Sequence, residues 1–221
     1  MRFNLAIDGP AGAGKSTIAK KVAKELSFIY VDTGAMYRAM ALYLLEKGIS
    51  GDEKISEACH DADISIRYEN GEQQVILNGK NVTAFLRKEE VGNMASVSSA
   101  NPEVRAHLLK LQRNLAAENN VVMDGRDIGT QVLPNATVKI YLTASAKERA
   151  KRRYLELQEK GMPGELDQIE ADIIERDNRD MNREISPLRQ AEDAVLVDAS
   201  FMGIEEVTAA VIAEFEKKKQ A

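Results

Sequence analysis

The sequence predicts an α/β fold in which a parallel central sheet is covered by helices on both faces. Two observations predict the sheet: short apolar runs alternate with helical segments, and a glycine-rich loop joins the first strand to the first helix. A third, a pair of Asn-Gly dipeptides within one short stretch, predicts a small antiparallel insert.

Taken in order, residues 2–7 (RFNLAI) read as a short buried strand, followed by the loop and a helix over 15–26. "FIYVDTG", Phe28 to Gly34, reads as a second strand ending in a turn, with a helix over 35–47 stopped by Gly48. The rhythm then changes. Asn70-Gly71 and Asn78-Gly79 are tight-turn signals flanked by alternating apolar residues, which predicts an antiparallel meander over about 63–84 with a helical continuation to about 100. Pro102 opens a helix to about 118, "VVMD" is a strand at 121–124, and "VKIYL" is another at 138–142. Residues 146–160 and 167–183 are charged helical stretches separated by the Gly/Pro break "KGMPGE". "AVLVD", 194–198, is the last strand, and 203–218 is the closing helix, whose lysines 217–219 complement the helix dipole.

Composition sets the outer bounds. A chain of 221 residues, 44% hydrophobic, can bury one sizeable core with an appended subdomain. With 30 Lys/Arg against 35 Asp/Glu, the net charge of −5 argues against a surface built for a nucleic acid polymer or a membrane. A local basic site remains compatible with it. The one cysteine, Cys59, cannot form an internal disulfide and fits a reducing compartment. Residues 1–8 are too short for a signal peptide, and no apolar run reaches the roughly 18 residues of a membrane span. The expectation is a soluble cytoplasmic protein.

The loop carries the first chemistry. Gly9-Pro10-Ala11-Gly12-Ala13-Gly14-Lys15-Ser16, followed by Thr17, matches G-x-x-x-x-G-K-[ST] between a predicted strand and a predicted helix. Its glycines let backbone N–H groups face phosphate oxygens, and the helix N-terminus adds its dipole. Lys15 supplies a cation for the β/γ-phosphates of ATP, and Ser16 a hydroxyl for Mg²⁺. A carboxylate is expected to support the metal through water. Asp124, at the end of "VVMD", fits that role, and Asp32, at the end of "IYVD", competes for it.

Arginines indicate what receives the phosphate. Arg38 follows Thr33-Gly34, and Arg126-Asp127 follow the strand at 121–124, at strand ends where open α/β sheets bind ligands. Arg176, Asp180 and Arg183 share one face of a predicted helix. Transfer between two anionic nucleotides needs several guanidiniums, whose planar forks bind phosphate bidentately. The segment N/T-K-x-D that reads the base in a switch GTPase is absent from the sequence. Taken alone, Arg176, Asp180 and Arg183 could instead form an exposed salt-bridge ladder, and Arg126-Asp127 a structural pair at a turn.

"DGPAGAGKST", "DTGAMYRA", "ASVSSANPEVR", "VVMDGRDIGT", "KIYLTAS", "QEKG" and "ERDNRDMNREISPL" together closely resemble the bacterial cytidylate kinases (CMP kinases), across essentially the whole chain. "DGRD" with "RDNRDMNR" is far more specific than the phosphate loop, which many families share. The resemblance implies a P-loop kinase fold with an inserted acceptor-binding subdomain at about 35–101, a helical lid at about 149–183, and a core of 1–34, 102–148 and 184–221. It implies phosphoryl transfer from ATP to CMP or dCMP with Mg²⁺, in a monomer. It places the acceptor phosphate on Thr33, Arg38, Arg126 and Arg183, and the ribose and site closure on Arg176 and Asp180. Ser96, Arg105 and Asp127 would read cytosine. Lys15, Arg126, Arg176 and Arg183 would surround the migrating phosphoryl group, with Gly161–Gly164 as a hinge of the lid. Thr33 stands where the family often has serine, which keeps the hydroxyl. Ser16-Thr17 stands where some members have Gly-Thr, which leaves open how the two hydroxyls divide the metal and phosphate contacts. The competing readings are another nucleoside monophosphate kinase, for UMP or AMP, a nucleotide-binding regulatory module, and a small-molecule kinase such as one for shikimate.

Overall fold

Strands buried on both faces need uninterrupted apolar runs, and the central strands here have them. A computed structural model describes residues 2–219. Met1, Gln220 and Ala221, which the expected core also spans, lie outside the described residues. In chain order the elements are β1 (Asn4–Asp8), α1 (Lys15–Leu26), β2 (Ile29–Asp32), α2 (Thr33–Glu46), α3 (Asp52–Ala58), β3 (Ile64–Glu69), β4 (Glu72–Leu77) and β5 (Lys80–Asn81). There follow α4 (Glu89–Ser98), α5 (Pro102–Glu118), β6 (Val121–Gly125), β7 (Val138–Thr143), α6 (Ala146–Glu159), α7 (Leu166–Asn182), β8 (Val195–Asp198) and α8 (Ile204–Lys219). The parallel sheet has the order β2-β6-β1-β7-β8, and a three-stranded sheet the order β3-β4-β5. The chain divides into two compact units, one formed by Ile29–Val121, the other by Phe3–Phe28 and the chain from Val122 onward.

The second unit holds the phosphate loop. Leu5, Ala6 and Ile7 of β1 are fully buried, and β1 pairs in parallel with β7 in the register Leu5↔Val138 to Asp8↔Tyr141. β8 extends the sheet beyond β7, with Ile140 opposite Val195. Phe28 stacks on Phe3, and Phe215 meets both rings edge-on, which fixes α8 against the start of β1 and the end of α1. The Gly/Pro break between α6 and α7 is the turn of a helical hairpin, with Gly161 in the left-handed region at φ 63°.

The first unit contains the meander, and both of its Asn-Gly dipeptides make the tight turns expected. Asn70 and Gly71 have φ of 53° and 79°, and Asn78 and Gly79 have 48° and 79°. Two consecutive positive φ values are the signature of the type I′ hairpin, whose twist matches that of the flanking strands. The Gln73 side-chain amide accepts from the Asp32 N–H at 2.8 Å and donates to the Asp32 carbonyl at 3.1 Å. Tyr68 donates its hydroxyl to the Tyr30 carbonyl at 3.0 Å. The meander thus grips β2 through side chains that mimic a strand ladder. Asn101 caps α5 by accepting from the N–H groups of Glu103 and Val104, and its amide donates to the Asp52 carboxylate and the Ser56 hydroxyl.

Several features depart from the sequence reading: the helix predicted over 35–47 begins at Thr33, in place of the turn, and α3 forms where no element was predicted. The helix predicted over 167–183 ends at Asn182, and Arg183 is extended at ψ 142°. Asn182 donates its side-chain amide to the Asn178 carbonyl at 2.8 Å, offering that group a partner other than a continuing helix. After Asp127 the chain makes a single π-helical turn, Ile128–Val132, that no sequence pattern announced.

Candidate active site

The loop after β1 is shaped by backbone demands rather than by side chains. Gly9, Gly12 and Gly14 have φ of 149°, 76° and 92°, and a Cβ on Gly9 would collide with the Leu142 carbonyl oxygen. Gly14 caps α1 with no side-chain hydrogen bond, so the first amides of α1 are left to an anion. Lys15 is 6% exposed and folds back to donate to the Pro10 carbonyl at 2.7 Å. Burial pushes its ammonium down from 10.5 to about 7; Arg126 and Arg176 push the same way, against Asp124 and Asp8. A bound phosphate would raise it again.

Ser16 donates its hydroxyl to Asp124 Oδ2 at 3.0 Å, and Asp124 is buried. Asp32, the competing carboxylate, is occupied otherwise: it caps α2 by accepting from the Ala35 N–H at 2.9 Å. A hydroxyl and a hard carboxylate at the mouth of the loop are the oxygen donors that Mg²⁺ takes alongside phosphate and water. The residues present therefore fit the metal.

Beside this loop, within the same unit, lie the arginines and acids of the two predicted motifs. Arg126 Nε donates to Asp180 Oδ2 at 2.9 Å, and Arg183 Nη2 lies 3.7 Å from Asp127 Oδ1. Pairing thus crosses between the motifs. Asp180 is only 7% exposed, so the exposed ladder along one helix is not what forms. Burial raises the Asp180 carboxyl, but Arg126, Arg176 and Arg183 outweigh burial and hold it below its usual 3.8. Arg183 Nε also donates to the Ser186 carbonyl at 2.5 Å.

The remaining candidates sit on the first unit. Thr33 is buried at the first position of α2, with Arg38 further along the same helix. Arg105, on α5, is 8% exposed and donates to the Ser99 carbonyl at 3.2 Å, while Ser99 donates to the Ser96 carbonyl at 3.1 Å. The Arg105 guanidinium lies 5.5 Å from the centroid of the Tyr37 ring, a cation–π contact. Tyr37, inside "DTGAMYRA", was not singled out from the sequence.

Three further residues escaped the sequence reading. Asp8 is buried at the end of β1, and burial raises its carboxyl from 3.8 to about 6, against the pull of two amide donors. Arg149, 4% exposed, donates to the Ala11 carbonyl at 2.9 Å and to the Ala144 carbonyl at 2.8 Å. It forms a bidentate pair with buried Asp177 at 3.2 and 2.5 Å. Arg152 donates to the Ala199 carbonyl at 2.6 Å and lies alongside Gly14. The spacing of Arg149 and Arg152 on α6 was the available signal.

The family model of cytidylate kinase matches residues 5–217. The chain belongs to the cytidylate kinase family. It is 51% identical over 218 residues to a cytidylate kinase of Caldicellulosiruptor bescii, a match covering 98% of this chain and 96% of the relative. It is 47% identical over 212 residues to a cytidylate kinase of Shouchella clausii, covering 95% of this chain and 94% of the relative. A gluconokinase from Sinorhizobium meliloti shares the fold, with a TM-score of 0.51 at 13% identity over 98% of this chain and 94% of that one. The α/β P-loop kinase architecture expected from the sequence is the one the chain has.

Proposed function

We propose that the chain transfers the γ-phosphoryl group of ATP to CMP and dCMP, serving pyrimidine nucleotide metabolism. Membership of the cytidylate kinase family carries the reaction. The cluster of Lys15, Arg126, Arg176 and Arg183 around the buried acids Asp8, Asp124 and Asp180 is the observation that best supports it in the molecule. The phosphate loop from Gly9 to Thr17 takes the donor phosphates. Thr33, Arg38, Arg126 and Arg183 are assigned to the acceptor phosphate, and Arg176 and Asp180 to the ribose and closure of the site. Residues 149–183 act as the lid and 35–101 as the acceptor-binding subdomain.

An oxygen of the acceptor phosphate attacks the γ-phosphorus as the bond to the β–γ bridging oxygen breaks. The bridging oxygen keeps the electron pair and leaves on ADP. The acceptor phosphate is already anionic near neutral pH, so no strong general base is required, and catalysis lies in alignment and charge stabilisation. Lys15 and the arginines neutralise the migrating group, and closure keeps water from competing for it. Ser16 and Asp124 would hold Mg²⁺, Asp124 through water. When bound, the metal neutralises the charge developing on the phosphate oxygens.

Cytosine specificity follows from the chemistry of Asp127 with Ser96 and Arg105. Cytosine presents an exocyclic amine that an ionised carboxylate accepts from, whereas uracil presents a carbonyl. Leaving that carboxylate against a carbonyl costs about 1–3 kcal/mol, which disfavours UMP by roughly tenfold to a hundredfold. Among the described residues no helix is long and apolar enough to cross a membrane. We assign the protein to the cytoplasm as a monomer acting on nucleotides, not on nucleic acid polymers or membranes.

Coupled ADP production with Mg·ATP and a panel of CMP, dCMP, UMP, AMP, GMP and dTMP tests this reading. Fast turnover confined to CMP and dCMP is expected. Equal or faster turnover with UMP or AMP would overturn the cytosine assignment, and silence across the panel would favour a binding module.

A further inference from the structure

Asp8 is a buried acid of the phosphate-loop unit whose hydrogen bonds go to the base-reading segment. It ends β1, immediately ahead of Gly9, and is 4% exposed. Its Oδ1 accepts from the Ile128 N–H and its Oδ2 from the Gly129 N–H, each at 2.7 Å. These are the first amides after Asp127. A buried carboxylate is costly unless hydrogen-bonded, and short charge-assisted bonds to adjacent amides are the arrangement that makes it tolerable.

Two consecutive N–H groups aimed at one carboxylate fix the peptide planes that follow Asp127. Asp127 itself has φ −145° and ψ 27°, outside the helix and strand regions, and the chain then enters the π-helical turn. The turn holds the Asp127 carbonyl, which accepts from the N–H groups of Gln131 at 2.8 Å and Val132 at 3.3 Å. The grip from Asp8 holds the two amides that follow Asp127, the groups the turn leaves without a partner of its own. Gly129 fits the same account: a Cβ there would stand 3.3 Å from Asp8 Oδ2 and 3.1 Å from Lys139 Cδ. A Cβ there would press on both the Asp8 carboxylate and the Lys139 side chain, and each would have to give by a few tenths of an ångström.

We propose that Asp8 is a positioning residue for acceptor specificity: by holding the amides of Ile128 and Gly129 it sets the direction of the Asp127 carboxylate that reads the acceptor base. This rests on the base-reading role proposed for Asp127. Asp8 links the strand that launches the donor-phosphate loop to the segment that selects the acceptor, so the two recognition elements share one anchor.

The test measures kcat/KM for CMP and for UMP in wild type and in Asp8→Asn, Gly129→Ala and Asp127→Ala. Asn keeps the volume of Asp8 and one accepting oxygen, but turns an NH₂ toward an amide N–H, donor against donor. Gly129→Ala disturbs the same grip from its other side while leaving Asp8 in place, and so decides the matter if Asp8→Asn does not fold. The CMP/UMP ratio is the readout, because anything Asp8 does for Lys15 or for general stability affects both acceptors alike. The ratio should fall about tenfold in Asp8→Asn, which corresponds to about 1.4 kcal/mol of lost discrimination, and fall less steeply in Gly129→Ala. If Asp127→Ala erases the ratio but both other variants keep it, the positioning role is wrong. If Asp127→Ala itself leaves the ratio unchanged, the base-reading role has failed and takes this inference with it.

Discussion

Replacing Arg149 with methionine probes a buried ion pair that braces the phosphate loop. Arg149 and Asp177 are 4% and 8% exposed, so removing the guanidinium strands a carboxylate away from water. Breaking a buried pair by deleting one partner costs about 3–5 kcal/mol, chiefly through the uncompensated charge. Unfolding entropy near 2.1 cal/mol/K per residue gives about 0.46 kcal/mol/K for 221 residues, so Tm should fall by roughly 6–11 °C. The double variant Arg149→Met/Asp177→Leu removes both charges and keeps an apolar filling, so it should recover most of that loss. Urea and thermal unfolding of the three proteins provide the assay, with the KM for ATP alongside. That KM should rise in both variants, because the bond from Arg149 to the Ala11 carbonyl is lost in each. A single variant within 1 kcal/mol of wild type would refute the reasoning. So would a double variant less stable than Arg149→Met.

The remaining predictions concern charge, capping and the loop. Asp180 has its carboxyl held below 3.8 by arginines that outweigh its burial, so its ionised form favours the folded state. That stabilisation is fully present above pH 3.8 and is lost as pH falls through the lower folded-state value. The stability gap between wild type and Asp180→Asn should therefore be widest near neutrality and shrink below that pH; a gap constant from pH 7 to pH 3 would contradict this. Asn101→Ala removes a helix cap and leaves the Asp52 and Ser56 groups short of a donor, costing about 2–3 kcal/mol in chemical unfolding. Because Arg105 lies in the first turn of α5, which loosens when the cap bonds to Glu103 and Val104 are lost, the KM for CMP should rise as well. Gly9→Ala forces a Cβ into the Leu142 carbonyl and should cost about 3 kcal/mol or abolish ATP binding; a variant that binds ATP like wild type would show the loop adapts freely.

Local signals made the elements legible, and long-range contacts hid part of the site. Apolar runs gave the parallel strands, and two Asn-Gly dipeptides gave the hairpins, because a positive φ at both turn positions is a local demand. The end of α7 was misjudged by one residue, since the competing bond from Asn182 to the Asn178 carbonyl leaves no mark on periodicity. That residue matters, because Arg183 belongs to the candidate site. The phosphate loop and the two arginine motifs were visible as motifs, but their cross-pairing was not. Arg126 meets Asp180 across 54 positions, Asp8 meets Ile128 across 120, and Arg149 meets Ala11 across 138. Single residues such as Asp8 carry no pattern; only the fold brings their partners to them.

The most direct test of the central claim follows the phosphoryl group itself. ATP labelled at the γ-phosphate is mixed with excess enzyme, Mg²⁺ and CMP for a single turnover, and the label is traced among CDP and inorganic phosphate. Nearly all of it should appear in CDP, and without CMP it should stay on ATP. Label released as inorganic phosphate at the same rate with or without CMP would contradict the claim that this site transfers phosphate between nucleotides.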